Sequence, residues 1–162
     1  SYTVLPFTGR EEDDQTKTIE FASSHYDLFV EVVGIPAVGK RAGSLPVLEI
    51  CGVSPCTDFE NRACGEATDY LLETTYYSAK KLLTARANIM RHMNHRDVNV
   101  CLRQASGEEL LAEINLADFL AANPMIDCSK QEVLIPIQID FKAGAIKVTV
   151  PEWYVEQVKP EF

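Results

Sequence analysis

Residues Asp97 to Val150 constrain the fold more than any other stretch of this chain. Val98, Val100 and Leu102 alternate with Asn99, Cys101 and Arg103. After a turn at Ala105-Ser106-Gly107, Leu110, Ala112, Ile114 and Leu116 fall on one face. Val133, Ile135, Ile137, Ile139 and Phe141 repeat the pattern, and Ile146, Val148 and Val150 complete it after Lys142-Ala143-Gly144. Successive side chains of a strand point to opposite faces, so this period of two predicts half-buried strands. Four such segments with turns between them predict an antiparallel sheet with one wet face. The expected class is all-β, a two-layer β-sandwich.

The first half adds strands of the same kind. In Tyr26–Val33, Leu28, Val30 and Val32 face one way and Asp27, Phe29 and Glu31 the other. Gly34-Ile35-Pro36 ends it, because proline has no amide proton for a ladder. Thr18–Ala22 is an additional strand candidate, Gly39–Ser44 a loop, and Leu45–Val53 a returning strand. Ser54–Gly65 supports no period and is expected as a long connection. Leu116–Ala121 predicts a short helical turn closed by Asn123-Pro124. After Pro151, Trp153-Tyr154-Val155 forms an aromatic tail, expected mainly to supply packing area. The expected division is an acidic N-terminal arm over 1–17, a β-sandwich over 18–151 and a tail over 152–162.

Residues 66–93 break the β pattern. Leu71, Leu72, Thr75, Tyr76, Ala79, Leu82, Leu83, Arg86, Ile89 and Met90 recur at three-and-four spacing, which predicts an inserted amphipathic helix. Thr74-Thr75-Tyr76-Tyr77 favours strand instead, so a strand followed by a shorter helix stays open. Lys80, Lys81, Arg86, Arg91 and Arg96, with His92 and His95, form the one basic region of an acidic chain.

The net charge of −9 over 162 residues argues against nucleic-acid binding, which needs Lys and Arg at the phosphates. No apolar run is long enough to span a bilayer. The chain opens on Ser1 rather than Met, with no basic start and apolar core to read as a signal peptide. The five cysteines, Cys51, Cys56, Cys64, Cys101 and Cys128, match no close-paired zinc spacing. They are expected as free thiols in a reducing compartment. His92 and His95 share a helix face but lack a convincing third ligand, and Glu11–Asp14 has no turn glycine of the calcium-loop kind. No nucleophile elbow, phosphate loop or dinucleotide fingerprint is present. No catalytic residue, metal, cofactor or small-molecule substrate is expected.

The order of these segments resembles that of a C2 domain. Tyr26–Pro36 is similar to that family's early strand and first top loop. Lys40–Ile50 is similar to its glycine-containing loop and following strand, and Val98–Leu116 with Ile135–Val150 to its late strands. The resemblance implies a phospholipid- or calcium-binding fold, but Lys40, Arg41 and Arg103 stand where the calcium carboxylates would be. It therefore implies a calcium-independent, scaffold-type member: a non-enzymatic, cytoplasmic interaction module with a protein partner, associated with cytoskeleton or membrane. The alternative is a peripheral membrane module reading acidic phospholipids, phosphoinositides included. In either case Lys40, Arg41, Lys80, Lys81, Arg86 and Arg91 are the candidate contacts. A second alternative is a degenerate staphylococcal-nuclease-like domain. Cys64-Gly65-Glu66-Ala67 faintly resembles its helix start, and its catalytic arginines are missing.

Overall fold

The computed structural model describes residues 23–35, 45–60, 62–91, 97–106, 108–142 and 145–158. In chain order the elements are β1 (His25–Val33), β2 (Val47–Val53), β3 (Cys56–Thr57), β4 (Ala63–Cys64), β5 (Thr68–Leu71), β6 (Thr74–Tyr77), β7 (Leu82–Met90), β8 (Asn99–Arg103), β9 (Leu110–Asn115), α1 (Leu116–Ala122), β10 (Leu134–Lys142), β11 (Ala145–Thr149) and α2 (Glu152–Val158). The chain is mostly β. One sheet runs β11-β10-β1-β7-β6, a second runs β5-β2-β8-β9, and β3-β4 is a small hairpin.

Alternation places the core. Leu28, Val30 and Val32 of β1, Leu83 and Ala85 of β7, and Ile135, Ile137 and Ile139 of β10 point inward from the larger sheet. Leu48 and Ile50 of β2, Val100 and Leu102 of β8, and Ile114 of β9 point inward from the smaller one. All belong to one buried cluster, so the two inner faces share a core. Each fully buried Leu or Ile contributes roughly 1.5–3 kcal/mol relative to an exposed one.

Two expectations about elements are corrected. The described part of the segment expected as a helix, residues 66–91, does not form one: it folds as β5, β6 and β7, with a 3-10 turn at Ser78–Lys80. The three-and-four spacing is real, but Leu83, Ala85 and Ile89 also satisfy a period of two, and β-branched and aromatic residues at 74–77 favour the strand. Nine residues of β1 pair with nine of β7, which gives this segment the sheet hydrogen bonds a helix would forgo. The sheet is also not purely antiparallel, because β1 and β10 pair in parallel from Asp27↔Leu134 to Val33↔Asp140. The chain between them passes through the second sheet, which supplies the long crossover that parallel pairing needs.

The connections follow local chemistry. Asn115 caps α1 by accepting from the Asp118 amide at 3.1 Å, and Leu116 and Phe119 turn its apolar side to the core. In α2, Trp153 packs edge-on to Phe29 at 5.8 Å between ring centroids, covering the outer face of β1. The expected strand at Thr18–Ala22, the acidic arm and the loop at Gly39–Ser44 lie outside the described residues.

The 54–65 connection holds the third correction. Cys56 and Cys64 face each other across β3-β4, with Cα atoms 5.2 Å apart, and are joined by a disulfide. They are not free thiols. Their spacing of eight says nothing about pairing until the hairpin between them is known. Cys51, Cys101 and Cys128 carry free thiols.

Candidate functional site

Of the six cations nominated from the sequence, Lys80, Lys81, Arg86 and Arg91 lie among the described residues. Arg86 reaches diagonally across β1/β7 to Asp27, with Nε 2.8 Å from Oδ1 and a second contact through its terminal nitrogen. That carboxylate holds the guanidinium pKa above its ordinary value. Arg91 lies with its guanidinium 4.7 Å from the Tyr26 ring centroid and donates to the Lys130 carbonyl at 2.7 Å. Lys80 and Lys81 are exposed at the turn before β7. Lys40 and Arg41 lie outside the described residues, as do His92 and His95. Two of the six are thus spent on contacts within the fold.

The outer face of the smaller sheet gathers a different group, which a linear reading missed. Alternation along β2 turns Glu49 and Cys51 outward, and along β8 it turns Cys101 and Arg103 outward. The register sets Glu49 opposite Cys101, which leaves Cys51 diagonal to Cys101 with the two Sγ atoms 3.5 Å apart. Asp69, on β5, accepts a hydrogen bond from the Gly52 amide at 2.9 Å. One ligand atom each of Glu49, Cys51 and Asp69 lies within 4.8 Å of the others. Arg103 donates to Glu49 Oε2 at 2.8 Å. Burial, the neighbouring Cys101 thiol and the Glu49 and Asp69 charges push the Cys51 thiol up to about 12. Cys101, only 3% exposed, is raised chiefly by burial. Arg103 lowers the Cys101 thiol but does not outweigh burial, so both thiols are protonated at neutral pH and are poor nucleophiles.

The third feature is a groove between the sheets. β6 pairs with only the first half of β7, Leu82 to Ala85. Among the described residues no strand pairs with Arg86–Met90 on the side away from β1. β5, the edge of the other sheet, lies across from that open edge. Between them is an open groove of about 360 Å³, lined by Ile50, Val53, Tyr70, Leu72, Ile89 and Met90 among others. Leu71, also on its wall, is 72% exposed and Tyr70 44%. An apolar groove beside unpaired backbone groups is suited to holding an extended polypeptide.

A solved structure shares the fold. A candidate adhesin from Bacteroides ovatus superposes on 82% of this chain and 49% of its own, with TM-score 0.58 and 18% identity. A candidate cell adhesion protein from Bacteroides uniformis superposes more loosely, with TM-score 0.45 and 5% identity over 79% of this chain and 49% of its own. The chain therefore spans about half the length of these structures. No curated protein matches it.

One family model, Mfa2, described as fimbrillin-A associated anchor proteins Mfa1 and Mfa2, matches residues 2–159. That match overturns the C2 resemblance, since the strand order and glycine loops that carried it are common to many two-sheet folds. With it fall the cytosolic scaffold, the phospholipid-binding alternative, the nuclease alternative and the cytoplasmic location. The Cys56–Cys64 disulfide is likewise at odds with a reducing compartment. On a match of this extent, the chain belongs to the family of fimbrillin-A associated anchor proteins Mfa1 and Mfa2.

Proposed function

We propose that this chain is a non-catalytic, protein-binding domain of a cell-surface, fimbria-associated protein of the anchor type. The family match over residues 2–159 carries the reading. The Cys56–Cys64 disulfide supports it, because such bonds persist in oxidising, surface-exposed settings. The partner is a fimbrial protein subunit, and no nucleic acid, lipid or small-molecule substrate is involved. The docking surface is the groove between β5 and the open half of β7. There a partner segment in extended form would bond to the backbone of Arg86–Met90 and bury side chains against Tyr70, Leu72 and Ile89. Lys80 and Lys81, exposed beside β6, belong to the partner-facing surface in this reading. So does the division into an arm over 1–17, a two-layer β body over 18–151 and a tail over 152–162.

Protease treatment of intact cells, followed by sedimentation of sheared fimbriae, tests the assignment. The expected result is that the chain is cleaved on intact cells and travels with the fimbrial fraction. A chain protected until lysis and absent from that fraction overturns it.

A further inference from the structure

We propose that Cys51, Cys101, Glu49 and Asp69 form a binding site for a thiophilic divalent cation of the zinc class, an inference independent of the fimbrial reading. The first argument is spacing. A tetrahedral zinc ion with two sulfur ligands at 2.3 Å sets those sulfurs about 3.8 Å apart. The Cys51 and Cys101 sulfurs stand at 3.5 Å, on paired strands whose register fixes them there. With Cys51 Sγ, the carboxylates of Glu49 and Asp69 form a group whose ligand atoms lie within 4.8 Å of one another. Cys101 stands outside that group and meets it through the Cys51 sulfur. Closing those three onto one ion takes shifts of about an ångström in side-chain position, given metal–oxygen distances of about 2.0–2.2 Å, and Cys101 must turn further to join them as the fourth ligand.

The second argument is support around the ligands. Arg103 holds Glu49 through Oε2, which orients the carboxylate and leaves its other oxygen for an ion, in the manner of an outer-shell partner. The Gly52 amide holds Asp69. Gly52 is itself fixed, with φ at +75° and the Asp97 carbonyl oxygen 2.0 Å from where a Cβ would sit. Cys51 and Glu49 are half-buried and Asp69 is exposed, so the cluster is shielded yet open to an entering ion.

The third argument is selectivity. Calcium and magnesium prefer six or more oxygens, which two sulfurs and two carboxylates do not offer. Thiolates select borderline-soft ions such as zinc. On binding, each thiol gives up its proton, and the ion offsets two of the four negative charges that then face it.

Cobalt(II) titration of the full chain under anaerobic conditions, with the Cys56–Cys64 disulfide left intact, is the test. One equivalent should bind, with thiolate-to-cobalt charge transfer and the visible bands of a tetrahedral ion, and zinc should displace it. Cys51→Ser and Cys101→Ser should each abolish the charge-transfer signature or weaken binding at least 100-fold. Asp69→Asn, an exposed position, should weaken binding at least tenfold without loss of fold. Cys128→Ser should change nothing. Zinc should also raise the melting temperature of the wild-type chain and not of the cysteine variants, since a ligand of the native state stabilises it. No charge-transfer band in the wild-type chain, or a band that survives both cysteine substitutions, overturns the proposal. So does a Cys51–Cys101 disulfide that forms in preference to cobalt binding.

Discussion

A methyl group on Gly52 would stand 2.0 Å from the Asp97 carbonyl oxygen, at a backbone φ of +75°. Neither fault is relieved by a side-chain rotation, because the opposing atom is backbone. Gly52→Ala is therefore expected to destabilise the chain by about 2–4 kcal/mol, as chemical denaturation would measure. Leu83, fully buried where β7 meets the core, sets a comparison: Leu83→Ala should cost about 2–5 kcal/mol. Glu31 gives a pH signature. Burial beneath α2 raises its carboxyl above the ordinary 4.5, partly offset by a hydrogen bond with Trp153. The folded state then holds that proton more tightly than the unfolded chain. Its contribution to stability is fully present below 4.5 and is lost as pH rises through the higher folded value. Glu31→Gln removes that loss. Melting curves from pH 4 to pH 7 should show the variant gaining on the wild-type chain as pH rises, and parallel curves would contradict this.

At the scale of elements, what was legible in the sequence depended on how far apart the interacting parts lie. β1, β2, β8, β9, β10 and β11 were readable because alternation is a local property: Leu28, Val30 and Val32 announce their face without reference to any partner. The α1 helix was readable through its Asn123-Pro124 stop, and its Asn115 cap emerges from the structure. β7 was misread because its apolar residues satisfy two periods at once, and pairing with β1 decided between them. The parallel β1/β10 pairing, the Cys56–Cys64 bond and the Glu49–Cys51–Asp69–Cys101 group share one cause of invisibility. Each depends on which strands become neighbours, and no local pattern encodes that. The β3-β4 hairpin yields its own prediction. Closing so short a loop removes chain entropy worth about 2–3 kcal/mol in the unfolded state. A Cys56→Ser/Cys64→Ser double variant should unfold at correspondingly lower denaturant, and an unchanged midpoint would mean that the bond stabilises nothing.

For the whole molecule, the two sheets share a core, and among the described residues a margin stays open where β6 stops short of the end of β7. Of the basic residues that suggested a lipid-binding patch, Arg86 and Arg91 serve the fold itself. The open margin, with Tyr70 and Leu71 exposed on one wall, is the surface we propose for a protein partner. Leu71→Glu would put a charge on that wall without touching the buried cluster. It should weaken fimbrial binding tenfold or more while leaving the melting temperature within a degree or two. The most direct measurement is amide hydrogen exchange of the purified chain with and without fimbriae sheared from the native host. The account predicts slowed exchange at Arg86–Met90 and Thr68–Leu71 when fimbriae are present. Exchange unchanged in both segments, with protection appearing on the opposite margin at β9 or β11, would contradict it.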